Sequence, residues 1–261
     1  MKTVISLFFF DWSDVDECFR RAKNDLGLDG VELSFHPTFA RDHCTHEDIA
    51  AVREARETHG VLVTSHLWEN LPGMEPTAAA ESLLRWIPIC RDGGIDQLVI
   101  HGGSYPDRSE GVVRTRRVLE KVLPEYERQG IVINLENHYG YDYRNCQEIF
   151  YEPWEFLELF AAIDSPSLRF CLDTGHAQMN RNFDEMLGAL AAYLHYVHIA
   201  DNYGTDDDHV MYKTGVVPFD RVLPAFRATG YDGIICYEFP AKEDTGPLFQ
   251  CNRDLKALWG A

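Results

Sequence analysis

The chain has 261 residues, of which 45% are hydrophobic and 25% are charged, so it is long and apolar enough to form a large buried core. Its formal net charge of −18, from 42 acidic and 24 basic residues, disfavours nucleic acids and anionic membrane surfaces as partners. The seven cysteines form no C-x-x-C pair and leave an odd number, which indicates reduced thiols and a cytoplasmic protein.

The first predicted element is a strand at residues 4–10, an apolar run that follows Lys2. A signal peptide is the alternative interpretation, but no small-residue cleavage site follows, and the acidic segment Asp11-Trp12-Ser13-Asp14 comes directly afterwards. No apolar segment of the sequence approaches the length that a membrane-spanning helix needs. We therefore expect a soluble protein that does not associate with membranes.

Predicted strands and helices alternate along the rest of the chain. Two helices are expected to start at the capping-box-like segments Ser13-x-x-Asp16 and Thr45-x-x-Asp48 and to end at Gly27 and Gly60. Later strands are predicted at residues 30–33, 61–67, 97–101, 131–136, 170–173, 195–200 and 233–238. Later helices are predicted at residues 76–90 with a distortion at Pro88, and at 112–129, 153–160, 182–192, 219–229 and 254–259. Eight strands alternating with eight helices predict a single (β/α)8 TIM barrel, an α/β fold in which residues 1–261 form one domain.

Polar residues that can bind metals stand at or next to the carboxyl ends of the predicted strands. They recur about once in each β/α unit: Glu32, His66, His101, Glu136, Asp173, His198 and Glu238. Because the carboxyl ends of all strands in such a barrel open on one face, these side chains are expected to converge at a single mouth, where active sites lie.

Four of these residues form an oxygen-rich set of donors with one nitrogen: Glu136, Asp173, His198 and Glu238. Such a set favours Mn²⁺ or Mg²⁺, with Co²⁺ or Zn²⁺ also compatible. A metal that chelates a hydroxyl and an adjacent carbonyl acidifies the C–H bond between them, and Glu136 and Glu238 would act as base and acid on either side of a planar enediolate. This is isomerase or epimerase chemistry, and it needs no organic cofactor.

Four ordered motifs resemble the xylose-isomerase-like barrel superfamily and, within it, the sugar phosphate isomerase/epimerase group, which includes D-tagatose 3-epimerase and hydroxypyruvate isomerase. They are LEN at residues 135–137, CLDTGHA at 171–177, VHIAD at 197–201 and YEF at 237–239. The resemblance implies metal ligation by the same four residues, proton transfer by Glu136 and Glu238, and substrate contact by His176. The ketose 3-epimerases carry an arginine shortly after the seventh-strand histidine, but this chain has Asn202-Tyr203-Gly204 there. That departure disfavours a 3-epimerase of free ketohexoses.

A second resemblance is to the endonuclease-IV-type nucleases of the same superfamily, which hold three zinc ions and act at abasic sites in DNA. Their additional ligands are matched here by His66, by His101 with Gly103, and by Asp207 with His209. Zinc-activated hydroxide would attack a phosphate in such a site. The net charge of −18 opposes the binding of a polyanion, and no basic loop with interleaved aromatic residues follows the strands.

Several of these side chains have a second interpretation. His66, His101 and His209 are candidates either for substrate contact or for extra metal ligands, and Trp68 is a candidate for stacking on a sugar. Asp207 and His209 lie in an acidic loop that could be a solvated turn, and Glu32 is expected to line the pocket or form an ion pair.

The predicted function is a metal-dependent isomerase or epimerase of a small sugar-like substrate, expected to be unphosphorylated because no phosphate clamp is evident. A lyase or dehydratase that uses the same enolate and a non-catalytic sugar-binding barrel are the alternatives, together with the nuclease. A homodimer or homotetramer is expected from the resemblance, although no apolar patch in the sequence identifies an interface.

Overall fold

The computed structural model describes residues 1–7, 14–35 and 48–260, and within them eight parallel strands close into a barrel. The barrel strands are β1 (Lys2–Ser6), β2 (Gly30–Phe35), β3 (Leu62–Leu67), β4 (Gln97–His101), β6 (Val132–Glu136), β9 (Leu168–Asp173), β10 (Leu194–Ile199) and β11 (Ile234–Tyr237). They are neighbours in chain order, and β1 pairs with β11 to close the cylinder. The predicted (β/α)8 TIM barrel fold is therefore confirmed.

Helices connect successive barrel strands and cover the outside of the cylinder. The described helices are α1 (Val15–Arg20), which continues as a π-helical turn (Arg21–Asp25), α2 (Ile49–His59), α3 (Pro76–Gly93), α4 (Arg108–Gln129), α5 (Pro153–Ala162), α6 (Thr174–Asn180), α7 (Phe183–Leu190), α8 (Phe219–Ala228) and α9 (Gly246–Trp259). Among the described residues, no helix is both long and apolar enough to cross a membrane.

A small antiparallel sheet stands beyond the carboxyl ends of the barrel strands. Its strands are β5 (Ser104–Tyr105), β7 (Asp142–Tyr143) and β8 (Cys146–Glu148), with β8 in the middle. It joins the loop that follows β4 to the loop that follows β6. The sequence analysis did not predict this sheet, because strands of two or three residues carry too little periodicity to be recognised.

Several predicted boundaries are wrong. The first strand ends at Ser6, and residues 8–10 of its predicted span lie outside the described residues. Asp14 rather than Ser13 caps α1, because its side chain accepts a hydrogen bond from the Glu17 backbone N–H at 3.1 Å. Thr45 lies outside the described residues, and α2 begins at Ile49.

Three helices also differ from prediction in length. Helix α3 runs through Pro88 to Gly93, because Trp86, Ile87 and Cys90 bury an apolar face that outweighs one lost backbone hydrogen bond. Helices α4 and α9 begin earlier than predicted, at Arg108 and Gly246. The segment after β9 forms a separate helix, α6, which was not predicted.

An apolar layer fills the barrel directly beneath its mouth. The side chains inside the barrel form a cluster of five buried residues: Val4, Val99, Cys171, Tyr196 and Cys236. Because side chains alternate along a strand, the residue two positions later points to the same interior. His101, Asp173, His198 and Glu238 each stand two residues after a member of this cluster, so the interior packing sets the height and direction of these polar side chains.

Candidate metal centre and active site

Four of the predicted strand-end residues meet at the barrel mouth. Glu136, Asp173, His198 and Glu238 are all buried, and one donor atom from each lies within 4.8 Å of those from the other three. Strand register explains the convergence, since Asp173 is the direct pairing partner of His198 across β9 and β10. Glu136 is likewise paired with His101 across β6 and β4.

The carboxylate of Glu136 lies at the centre of four imidazole rings. Its Oε1 atom is 3.2 Å from His198 Nδ1 and 3.4 Å from His176 Nδ1. Its Oε2 atom is 3.3 Å from His66 Nε2 and 3.4 Å from His101 Nε2. The two oxygens of Glu136 therefore face two different groups of nitrogen donors.

Several of these close atoms are not hydrogen-bonded to one another. Glu136 Oε1 and Oε2, Asp173 Oδ2, His66 Nε2 and His198 Nδ1 are buried and have no hydrogen-bond partner among the described residues. Buried polar atoms in folded proteins are nearly always paired, so this concentration of orphaned donors and acceptors requires an explanation. Three carboxylates and an imidazole that converge without satisfying one another fit the ligand set of a divalent cation.

Glu32 contacts the candidate ligand His198 on the side of the ring away from Glu136. Its Oε2 atom is 3.2 Å from His198 Nε2 and accepts a hydrogen bond of 2.8 Å from the Tyr196 hydroxyl, which also contacts the Thr64 hydroxyl at 2.7 Å. His198 Nδ1 then faces Glu136 and Glu238. Glu32 thus forms an ion pair, as the sequence analysis expected, and fixes the orientation of a candidate ligand.

A second set of four donors, Glu32, His66, His198 and Glu238, is equally close together. Glu32 is already hydrogen-bonded, however, whereas both oxygens of Glu136 and Oδ2 of Asp173 have no such partner among the described residues. The set that contains Glu136 and Asp173 is therefore the better candidate for a metal centre.

Replacing Glu32 tests this supporting role. We expect Glu32→Gln to lower the affinity for a divalent metal by about 10–100-fold, because the neutral amide is a weaker acceptor for the His198 Nε2–H and so orients the ring less firmly and makes it a less basic ligand. Competition against a chromophoric chelator would measure the affinity, with the exposed Glu57→Gln as the matched control. Equal affinities in the two variants would contradict the role.

A second cluster adjoins the first at Asp207. Its Oδ2 atom lies 3.3 Å from His176 Nε2 and 3.1 Å from His209 Nε2. Each ring is fixed by a hydrogen bond from its Nδ1 to a backbone oxygen, that of Asn137 at 2.8 Å for His176 and that of Glu238 at 2.9 Å for His209. Burial alone would lower the pKa of His209, but Asp207 raises it to about 9. Asp207 and His209 therefore contact the site and are not simply solvated, whereas Asp206 and Asp208 in the same loop are exposed.

Similarity to known proteins identifies the family of this chain. The family described as Xylose isomerase-like TIM barrel matches residues 19–258. The chain belongs to this family. The xylose isomerase-like barrel also resembles solved structures over its whole length. One is a D-tagatose 3-epimerase-like protein, with a TM-score of 0.83, 24% identity and coverage of 100% of this chain and 97% of that one.

Two further relatives are more distant in structure or shorter in overlap. D-allulose 3-epimerase from Methylomonas sp., in complex with D-allulose, has a TM-score of 0.75 and 19% identity over 95% of this chain and 89% of that one. The uncharacterized protein MJ1311 of Methanocaldococcus jannaschii is 33% identical over 149 residues, which are 54% of this chain and 50% of that protein. This chain therefore spans about half the length of MJ1311, and it spans 58% of a second curated relative, the uncharacterized protein y4fM of Sinorhizobium fredii.

Sequence reasoning missed the part that Asn137 plays in this xylose isomerase-like barrel. Its Oδ1 accepts a hydrogen bond from the Asp173 backbone N–H at 2.7 Å, and its Nδ2 donates to the Asp173 carbonyl at 3.2 Å. Asn137 thereby joins β6 to β9 at the level of the site. The position of Asn137 directly after Glu136 in the LEN motif indicated that it lies near the site, but the motif does not predict which backbone groups it contacts.

Sequence reasoning also missed His138 and Glu148, which lie next to each other at the barrel mouth. Glu148 lies in β8 with its Oε1 3.9 Å from His138 Nδ1. Burial raises the pKa of Glu148 to about 8, while His176 and Tyr141 oppose the rise. No sequence signal points to Glu148, because the small sheet that carries it is not recognisable from the sequence.

The raised pKa of Glu148 predicts a pH-dependent stability. The unfolded carboxyl releases its proton near 4.5 and the folded one near 8, so the stabilisation is complete below the first value and is lost as pH rises through the second. Between them, the free energy of unfolding should fall by up to about 1.4 kcal/mol per pH unit. Urea unfolding across this window should show a shallower fall for Glu148→Gln than for the exposed control Glu158→Gln. Equal slopes in both variants would refute the prediction.

Proposed function

We propose that this protein is a divalent-metal-dependent isomerase or epimerase of a small sugar or polyhydroxy carbonyl compound. The observation that carries the proposal is the convergence of Glu136, Asp173, His198 and Glu238 at the barrel mouth, where buried donor atoms of the first three lack hydrogen bonds among the described residues. Two structural neighbours, a D-tagatose 3-epimerase-like protein and a D-allulose 3-epimerase, agree with this chemistry.

The four residues would hold one divalent ion, with Mn²⁺ proposed first and Mg²⁺, Co²⁺ or Zn²⁺ also compatible with the donors. When bound, the ion would polarise a substrate carbonyl and so acidify the neighbouring C–H bond.

Within this site, Glu136 and Glu238 are the proposed proton-transfer residues. They come from strands separated by β9 and β10 in the barrel, so they approach the mouth from different walls. One carboxylate would remove the proton from a carbon next to the carbonyl, and the other would return a proton from its own side. His176, hydrogen-bonded to the Asn137 carbonyl, and His66, 3.5 Å from Glu238, are the proposed contacts for substrate oxygens.

A hydrolase with several metal ions is the second candidate. It is favoured by the division of the histidines into groups, with His66 and His101 at one oxygen of Glu136 and with Asp207 between His176 and His209. Two or three zinc ions in these places would suit phosphodiester hydrolysis. The net charge of −18 makes DNA an unfavourable substrate, so this function ranks below the isomerase.

Solvent exchange tests the leading proposal without knowledge of the exact substrate. The Mn²⁺-loaded protein is incubated in D₂O with a panel of ketoses and aldoses, and NMR is used to detect deuterium at carbon and any new isomer. Deuterium incorporation with isomer formation supports the proposal, and an elimination product without isomer would indicate a lyase or dehydratase. Sugar binding without exchange would replace the proposal with a binding protein.

A further inference from the structure

A cavity of about 240 Å³ adjoins the candidate metal centre. His101 belongs to both, since it lines the cavity and its Nε2 lies 3.4 Å from Glu136 Oε2. The other lining residues come from the loops after three neighbouring barrel strands, β3, β4 and β6, and from the small sheet. A molecule whose reacting carbons lie at Glu136 would extend naturally into this space.

The wall of the cavity has a defined construction. The Ser104 backbone N–H donates to Asn70 Oδ1 at 2.9 Å, and this bond joins the loops after β3 and β4. Gly103 allows the two loops to approach each other this closely, because its φ is +84° and a Cβ atom there would lie only 2.4 Å from Asn70 Oδ1. The polar groups on this wall are therefore held in place before any ligand arrives.

Two buried carboxyl groups line the cavity. The Glu69 side chain is 4% exposed, and its Oε1 accepts from Ser82 Oγ at 2.5 Å, but its Oε2 has no hydrogen-bond partner among the described residues. Glu148 is 4% exposed and pairs with Ser104 across β8 and β5, with His138 3.9 Å away. A buried carboxylate oxygen is costly unless it receives a hydrogen bond, so Glu69 Oε2 suits a ligand that donates one, and Glu148, which is hydrogen-bonded to Tyr141, offers a second polar group beside it.

The charge of the cavity selects among ligands. In the described part of the chain, its lining contains no lysine or arginine, the residues that recognise phosphate. The guanidinium of Arg85 is 3.7 Å from Glu69 Oε1, but its side chain is 62% exposed, and Arg85 is absent from the lining. A phosphate dianion would enter beside two carboxyl groups without a compensating cation, whereas sugar hydroxyls would donate to those groups.

We propose that this cavity is a substrate subsite that binds the hydroxyl groups at the non-reacting end of an unphosphorylated polyhydroxy substrate. The proposal rests on the proposed function, because it takes Glu136 and its neighbours as the place of the reacting carbons. Glu69 accepts a hydrogen bond from the substrate, the Glu148 carboxyl accepts or donates one, and the lack of lysine and arginine in the lining among the described residues disfavours phosphate esters.

Linear polyols provide a test that does not depend on turnover, since they have no carbonyl to react. Calorimetric titration of the Mn²⁺-loaded protein with ribitol, xylitol and D-glucitol should detect binding, and ribitol 5-phosphate and D-glucitol 6-phosphate should bind at least tenfold more weakly. Glu148→Leu should weaken polyol binding about tenfold or more. Ser104→Arg, which adds a cation to the wall, should reverse the preference, whereas Ser109→Arg, an exposed site on α4 with the same charge change, should not.

The outcomes separate this proposal from the proposed function. Phosphate esters that bind the wild-type protein as tightly as the free polyols, or the absence of binding by all the polyols, would overturn the subsite. Unchanged polyol binding in both Glu148→Leu and Ser104→Arg would overturn it as well. Polyol binding with the expected preference, in a protein that shows no deuterium exchange, would preserve the subsite and refute the isomerase chemistry.

Discussion

Glu238→Gln is expected to reduce turnover by about 10⁴-fold, near the upper end of what a general acid or base contributes. The residue follows β11 directly, and its Oε2 and Oε1 lie 3.1 Å from His198 Nδ1 and 3.5 Å from His66 Nδ1. The amide has the same shape but cannot accept a proton from carbon, and it is a poorer metal ligand. Both proposed roles of Glu238 are therefore lost in one substitution.

The measurement is the rate of deuterium incorporation from D₂O into whichever sugar the panel identifies. Glu243→Gln is the matched control, because it makes the same chemical change five positions later at an exposed residue. Circular dichroism and thermal unfolding should show that both variants keep the fold. A Glu238→Gln protein with the exchange rate of the control would exclude Glu238 from proton transfer.

The convergence of the site residues could be predicted because it follows from the topology. Parallel strands in a closed barrel all end on the same face, so the positions of Glu136, Asp173 and Glu238 at predicted strand ends were sufficient to bring them together. The alternation of side chains along each strand also determined which residues point inwards. Both features follow from regular backbone, and regular backbone can be recognised from the periodic pattern of apolar residues in a single sequence.

The surroundings of the site could not be predicted in the same way. Asp173 was expected to end a strand, but it also caps α6 by accepting the His176 backbone N–H at 2.6 Å, a contact that depends on the exact turn. Glu148 reaches the mouth through a sheet whose strands have two or three residues, and Glu69 reaches it through a loop. Such contacts depend on irregular backbone, for which the sequence has no periodic signal.

Asp173→Asn is expected to lower the affinity for the divalent metal by about 100-fold or more, beyond the loss expected from a supporting residue. The variant is selective, because the amide oxygen can still accept the His176 N–H that Asp173 Oδ1 accepts at 2.6 Å. Only the charge and the acceptor at Oδ2 are lost, and Oδ2 is the buried atom that has no hydrogen-bond partner among the described residues. Helix α6 should therefore remain intact while the metal is lost.

Elemental analysis of protein purified without chelator or affinity tag measures both the identity and the number of bound ions. About one Mn²⁺ or similar ion per chain, absent from Asp173→Asn and retained in the exposed control Asp164→Asn, supports the single-metal isomerase site. About two or three Zn²⁺ per chain, reduced by His66→Ala or His209→Ala, would instead favour the hydrolase. Retention of the full metal content in Asp173→Asn would contradict the ligand set, because the remaining donors would then suffice to hold the ion.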